Sequence, residues 1–459
     1  MAEWMPILLF LTVGMVLLLG YPVALSLGGA ALQFALIGML FGLFDPAFLE
    51  ALPNRLYGIM INETLIAVPL FVFMGAMLER ARIAEDLLET MAVLFGPLRG
   101  GLGIAVVLVG ALLAASTGIV GATVVTMGLL SLPAMLRRHY DPQVAAGTIC
   151  AAGTLGQIIP PSIVLVLLGD ILSSSYQEAQ LEMGIFSPQT VSVGDLFVGA
   201  LLPGLLLVAL YVGYLVAVAW LRPAAMPAIP RSERPLDGAA LWRRVILVMV
   251  PPLVLMIAVL GSIIGGLATP TEAASVGAVG ALALAGIQRR LSIATLRDVV
   301  RRTTVISSMV FFIFIGAALF SLVFRGLNGD ELVTEFLTGL PGGTGVALAF
   351  VMLTLFLLGF ILDFIEITFV VVPILGPVLL AMGVDPVWLG IMIAINLQTS
   401  FITPPFGFSL FYFRGVAPKT LTTGQIYRGA APFILIQLAV LALLAVAPGL
   451  ATWLPGLLY

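Results

Sequence analysis

The sequence predicts an all-helical polytopic membrane protein: two inverted-topology repeats of about five transmembrane helices, each with a re-entrant helical hairpin and a broken helix. Three observations predict it. First, 61% of residues are apolar, 9% are charged and mean hydropathy is +1.19, which leaves too little polar surface to cover a soluble globule. Second, Pro97, Pro133, Pro142, Pro160 and Pro161 return at one fixed step as Pro341, Pro377, Pro386, Pro404 and Pro405, and Gly101 and Asp141 return as Gly345 and Asp385. Third, of the 20 basic residues, the assignment below leaves only Arg55 and Arg325 on one side of the bilayer, the asymmetry expected of a cytoplasmic face rich in Lys and Arg.

A spanning helix needs about 20 mostly apolar residues. Full crossings are expected near 5–20, 23–43, 56–80, 145–169 and 196–221, then 245–264, 268–288, 303–324, 387–411 and 431–448. Between the third and fourth crossing of each half lies an apolar segment, 100–137 and 344–382, too long for one span and interrupted near its middle. Each reads as a hairpin that enters and leaves on the same side, a conformation tolerated at membrane depth where protein or a cavity surrounds it. An odd number of crossings per half turns the second copy upside down. The chain therefore divides into a first repeat over 1–221, a cytoplasmic linker over 222–244 rich in proline and arginine, and a second repeat over 245–459, with both termini periplasmic.

The start has no basic stretch before its apolar run and no A-x-A-like site after it, so no cleaved signal is expected. Residues 289–302 read as an amphipathic arm on the inner surface, with Leu291, Ile293, Leu296, Val299 and Val300 towards lipid. The polar outer segment 173–193 carries Glu178 and Glu182, either a contact for something periplasmic or a plain solvated loop.

The chemistry is expected where helices break. The first hairpin turns at ASTGIVGAT over 115–123, and the crossing after it breaks at GTLGQIIPPS over 153–162. Two adjacent prolines cannot continue a helical ladder and free the carbonyls before them. A desolvated Na⁺, a hard cation that favours oxygen, suits such carbonyls. Ser116, Thr117, Gly118, Gly121, Thr123, Gly153, Thr154 and Gly156 are the candidate ligands of the first repeat.

The second repeat turns at GFILDFIE over 359–366 and breaks at NLQTSFITPP over 396–405. Its candidates are Asp363, Glu366, Asn396, Thr399 and Thr403. A charge at the bilayer centre costs at least ~2.5–3.5 kcal/mol on insertion scales, which marks Asp363 and Glu366 as functional candidates. The substrate is expected at the breaks, at Gln157, Pro160, Pro161 and Ser162 and at Pro404 and Pro405.

Plainer readings stand beside these. An Asp at a hairpin tip can cap the following half-helix, Ser and Thr hydroxyls can bond back to their own helix, and one double-proline break can be a structural kink. Two paired breaks, each at a fixed distance after an interrupted hairpin, fit the last reading poorly. Glu272 reads as a helix cap and His139 as a contact with a helix end.

Several classes are excluded or disfavoured. A lone Cys150 builds no disulfide or thiolate framework. There is no H-E-x-x-H, G-x-S-x-G or P-loop pattern and only one histidine, which argues against an intramembrane enzyme or an ATP-driven pump. A net charge of −3 gives no reason to expect nucleic acid.

Three runs carry a resemblance: GTLGQIIPPS at 153–162, ATPTEAA at 268–274 and TPPFG at 403–407. With them the whole chain resembles the large membrane subunit of tripartite ATP-independent periplasmic (TRAP) transporters. The resemblance implies an elevator-type, Na⁺-coupled importer of small organic acids in the bacterial inner membrane, with no cofactor beyond the coupling ion. It implies two partners, a small four-helix membrane subunit and a soluble periplasmic binding protein that delivers the substrate. Carried over by residue, it puts Na⁺ at 116–121 with 153–156, and at 362–366 with 396–403. Where many members have a Ser-Gly-Ser turn, this chain reads Thr117, Gly118, Ile119, one hydroxyl fewer. The alternative is a stand-alone ion or anion transporter working without a binding protein.

Overall fold

The computed structural model describes residues 4–117, 120–230 and 238–458, without side chains over 114–117. All regular structure among the described residues is helical. Among the described residues eight helices are long and apolar enough to cross a membrane, nine if the bent pair Ala47–Met60 and Glu63–Arg80, which meet at 51°, counts as one span. The chain is a multi-pass membrane protein.

Elements follow the sequence closely. Val23–Leu40, Val193–Leu221, Ala239–Ile264, Pro270–Ile287 and Thr423–Val446 are the long apolar helices. Their starts obey local capping chemistry. Thr269 and Glu272 form a reciprocal capping box in front of Pro270–Ile287, and Thr422 with Gln425 does the same for Thr423–Val446. Glu272 is thus a cap, as its sequence neighbours suggest.

Each segment expected as a hairpin holds a pair of helices. Gly101–Thr117 is followed by Val120–Arg137, and Gly343–Leu358 by an arm over 364–381. The proline register persists in the helices: Pro142 starts Pro142–Thr154 and Pro386 starts Pro386–Phe401. Asp141 Oδ1 accepts from the Gln143 N–H (2.8 Å) and Asp385 Oδ1 from the Trp388 N–H (2.8 Å), so the two copies begin this helix with the same type of cap.

The chain folds as two compact units. One comprises 1–66, 167–192 and 305–390 and includes the second helix pair. Its core is aromatic: Phe314 meets Phe369 with ring centroids 3.8 Å apart, and Phe10 meets Phe320 edge-on at 6.3 Å. At one end Arg325 donates from Nη1 and Nη2 to the two carboxylate oxygens of Glu178, and Asn62 Nδ2 donates to Asp170 Oδ1 (2.9 Å).

The other unit comprises 67–166, 193–304 and 391–459. Pro142–Thr154 and Thr423–Val446 cross here on glycines, since a Cβ at Gly147 would lie 1.9 Å from the Gly429 carbonyl oxygen and one at Gly429 would lie 2.0 Å from that of Gln143. Tyr211 packs edge-on against Phe433 and accepts from Gln437 Nε2 (2.6 Å). The start of the linker is stitched down by backbone bonds from Gly100 to Met226, Asp141 to Ala225 and Ile229 to Gly96. Tyr140, whose phenol burial holds above its usual range and so neutral, accepts from the Leu102 N–H at the start of the first pair.

Three features differ from the sequence reading. The arm 289–302 is not a separate surface helix, because Ile293–Gly326 runs unbroken for 34 residues. Of its apolar residues Val299 is fully buried while Ile293 is 88% exposed. Ion pairs explain why the helix continues in this direction: Arg302–Glu79 (2.9 Å), Arg80–Asp298 (3.1 Å) and Arg290–Asp86 (2.7 Å) hold that end against residues 79–86. Two short amphipathic helices, Ile83–Phe95 and Gly329–Thr338, were not anticipated.

Candidate ion- and substrate-binding breaks

In the unit that holds the first pair, Pro142–Thr154 tightens into a 3₁₀ turn, Leu155–Gln157, and leaves helical geometry until Ile163. The Pro160–Pro161 bond is cis, and so is Pro404–Pro405 in the second copy. The prolines have no N–H to return, so the carbonyls before them must find other partners. One has: the buried Ser162 hydroxyl donates to the Gln157 carbonyl (3.0 Å). The Gln157 side chain is different. It is fully buried, and neither its Nε2 nor its Oε1 has a hydrogen-bond partner among the described residues.

An amide sealed from solvent with both ends unpaired costs about 1–3 kcal/mol per group and persists where something else fills it. Nε2 is a donor suited to a carboxylate, and Oε1 is an acceptor suited to a cation. Its neighbour Thr154 is also buried. The Thr154 hydroxyl donates to the Ala151 carbonyl (2.9 Å) and accepts from Gln398 Nε2 (3.3 Å), a residue 244 positions later and hence its counterpart in the proline register. Gly153 is a glycine because a Cβ would lie 2.3 Å from Val124 Cγ2, so this turn and the arm Val120–Arg137 are in direct contact. Gly121 abuts the Tyr412 ring at 2.7 Å from where a Cβ would stand. Thr123 is buried and Gly156 lies within the 3₁₀ turn. Ser116, Thr117 and Gly118 lie outside the described side chains.

The second break follows Pro386–Phe401, and helix resumes at Phe408–Val416. Asn396 and Thr399 are buried within the helix before it. Thr399 donates to Ile395 (2.7 Å), Thr403 to Thr399 (2.6 Å) and Ser400 to Leu397 (2.8 Å), all backbone carbonyls. These hydroxyls bond back to their own helix, which parks the proton but leaves oxygen lone pairs available to a cation. The Pro405 carbonyl, freed by the break, accepts from the Tyr427 hydroxyl (2.9 Å). The copies also interlock: the Ser409 hydroxyl donates to the Cys150 carbonyl (3.0 Å).

The tip of the second pair belongs to the other unit. Asp363 accepts from the Phe364 N–H (2.7 Å), and Glu366, which is buried, accepts from the Asp363 N–H (3.0 Å). This is a reciprocal capping box, the plainer of the two roles the sequence allowed. It leaves the carboxylates tied to the start of the arm, with their remaining lone pairs free to take a cation. The arm continues through a π segment, Ile367–Val371, within which the Thr368 hydroxyl is fully buried and has no partner among the described residues. π turns of this kind concentrate at functional sites.

Sequence reasoning missed Thr368 and Gln398. Thr368 is one hydroxyl inside an apolar run, without a local signal beyond its place two residues after Glu366. Gln398 was accessible, since the step that pairs the prolines also pairs it with Thr154. Among the described residues no three His, Cys, Asp or Glu side chains gather as a metal centre. A cation at either break would meet carbonyl, hydroxyl and amide oxygens, a donor set that fits Na⁺.

Comparison with known proteins places this architecture. Residues 10–450 match the family described as the tripartite ATP-independent periplasmic transporter, DctM component. The C4-dicarboxylate TRAP transporter large permease protein DctM of Pseudomonas aeruginosa is 32% identical over 421 residues, covering 90% of this chain and 91% of the relative. The ectoine/5-hydroxyectoine TRAP transporter large permease protein UehC of Ruegeria pomeroyi is 29% identical over 98% of this chain and 99% of its own. The fold is shared with the YdaH transporter of Alcanivorax borkumensis, described as having an unusual topology, at a TM-score of 0.60 and 16% identity over 87% of each chain. The chain belongs to the DctM family, the large permease component of tripartite ATP-independent periplasmic transporters.

Proposed function

We propose that the protein imports a small organic acid by secondary active transport coupled to a Na⁺ gradient, taking substrate from a periplasmic binding protein and working with a small four-helix membrane subunit. The observation that carries the reading is the Gln157 amide, buried and, among the described residues, unpaired on both atoms beside a double-proline break. Relatives named for C4-dicarboxylates and for ectoines support a carboxylate-bearing substrate. The site lies in the bacterial inner membrane, with both termini periplasmic.

In this reading the substrate carboxylate accepts from Gln157 Nε2, and half-helix N-termini at Ser162 and beyond Pro405 present further donors and a positive dipole end. Pro160, Pro161, Pro404 and Pro405 keep the backbone open for these contacts. Na⁺ sits among the oxygens of Gly153, Thr154 and Gly156 at the first break and of Asn396, Thr399 and Thr403 at the second, and at Asp363 and Glu366 of the second tip. Cation charge neutralises the freed carbonyl dipoles and the substrate carboxylate, so a loaded site crosses low dielectric at reduced cost. Hairpins and broken helices, arranged as inverted repeats, move together as the carrying element of an elevator. Two or more Na⁺ with a monoanion carry net positive charge inward, worth ~2.3 kcal/mol per charge per 100 mV.

Reconstitution tests this reading. Proteoliposomes holding the protein and its small subunit should take up the binding protein's ligand when that binding protein is added and Na⁺ is outside. Uptake by this chain alone, without binding protein or small subunit, would instead mark a stand-alone transporter.

A further inference from the structure

A cavity of about 620 Å³ lies at the end of the first helix pair, away from the breaks. Its walls are apolar, from Leu88 and Ala92 of Ile83–Phe95 and from Leu129, Leu130 and Pro133 of Val120–Arg137, while its rim carries Arg137, Arg138 and Arg244. Two acids line it as well. Glu89 is paired with Arg244 at 2.7 Å, and Glu85 lies 3.9 Å from Arg82. Among the described residues neither Arg137 nor Arg138 has an acidic partner. Arg137 Nε donates only to the Pro133 carbonyl (3.2 Å), and Arg138 Nη1 is shut off from solvent with no hydrogen-bond partner.

A guanidinium nitrogen sealed away and unpaired costs more than a neutral orphan, because a charged group also loses its hydration. The surplus positive charge calls for an anion. A small soluble anion would need the arginines but not an apolar cavity of this size beneath them, whereas a phospholipid needs both: guanidiniums for the phosphate and an apolar wall for the acyl chains. These arginines belong to the face that carries nearly all the basic residues and that the positive-inside rule puts in the cytoplasm, where anionic lipids meet basic pockets between helices.

We propose that this cavity is a binding site for an anionic phospholipid whose phosphate is held by Arg137 and Arg138 and whose acyl chains lie against Leu129, Leu130 and Leu88. Its occupant ties Ile83–Phe95 to the arm Val120–Arg137, one of the elements in contact with the first break.

The test is native mass spectrometry of the full chain purified with its small subunit, together with thermal stability titrated with cardiolipin, phosphatidylglycerol or phosphatidylethanolamine in detergent. The wild type should retain an anionic phospholipid and be stabilised by cardiolipin or phosphatidylglycerol but not by phosphatidylethanolamine. The R137A/R138A double variant should lose at least tenfold in apparent lipid affinity, and R138K should keep most of it. Equal stabilisation by the zwitterionic lipid, or undiminished anionic-lipid retention in the double variant, overturns the proposal. Should the double variant fail to fold, the wild-type titration decides: a response indifferent to headgroup charge overturns the site.

Discussion

Replacing Gln157 by methionine should raise stability and abolish efficient transport at the same time. Methionine keeps the length and roughly the volume of glutamine but carries no strong donor or acceptor, so it removes the two orphaned amide atoms from a fully buried position without opening a hole. Relief of two unsatisfied buried groups is worth about 2–6 kcal/mol. With an unfolding entropy of about 2.1 cal/mol/K per residue, that corresponds to roughly 2–6 °C in a chain of this length. Transport moves the other way. A hydrogen bond to a charged substrate group contributes about 1.5–3 kcal/mol, so its loss should raise the substrate concentration for half-maximal uptake about 10–150-fold. The assay is a fluorescence-detected melting curve of the substrate-free protein beside uptake by proteoliposomes. A variant that melts lower and transports normally would refute the argument, because it would show that Gln157 has structural partners and no ligand.

Further predictions follow from other parts of the fold. G429A should shift or separate the crossing of Pro142–Thr154 and Thr423–Val446, because its Cβ would stand 2.0 Å from a backbone oxygen; overpacking costs about 1–3 kcal/mol or more, read as lowered melting temperature, whereas A430G beside it should be mild. D363N keeps a good helix cap while removing the charge, so it should retain its melting temperature and weaken Na⁺ dependence of uptake several-fold; an unchanged Na⁺ titration leaves Asp363 as a cap alone. E178Q breaks the charge pairing with half-buried Arg325 and should lower stability by about 1 kcal/mol, measured in the melting curve at low salt and shrinking as salt screens the remaining charge.

Much of the helix order was legible because two strong signals act together. Apolar runs of bilayer length are hard to misread, and prolines recurring at one step mark helix starts and breaks in both copies, as Pro142 and Pro386 and the two cis bonds show. Less legible were places where packing overrides local pattern. The arm 289–302 reads as amphipathic, yet Arg290, Asp298 and Arg302 find partners at 79–86 and the helix runs straight on. At the sites, the sequence indicated where polar groups would be buried but not who satisfies them. Ser162 turns back to the Gln157 carbonyl, Asp363 and Glu366 cap each other's helix start, and only the three-dimensional arrangement shows that the Gln157 amide, like the Thr368 hydroxyl, has no partner among the described residues.

Whether the broken helices hold coupling cations is decided by electrical recording on a supported membrane carrying the purified permease complex. A jump in Na⁺ without substrate should give a saturable charge movement that K⁺ or choline does not reproduce, and N396A should shift its half-saturation several-fold. A response equal for all three cations, or an N396A variant with an unshifted Na⁺ curve, would contradict it.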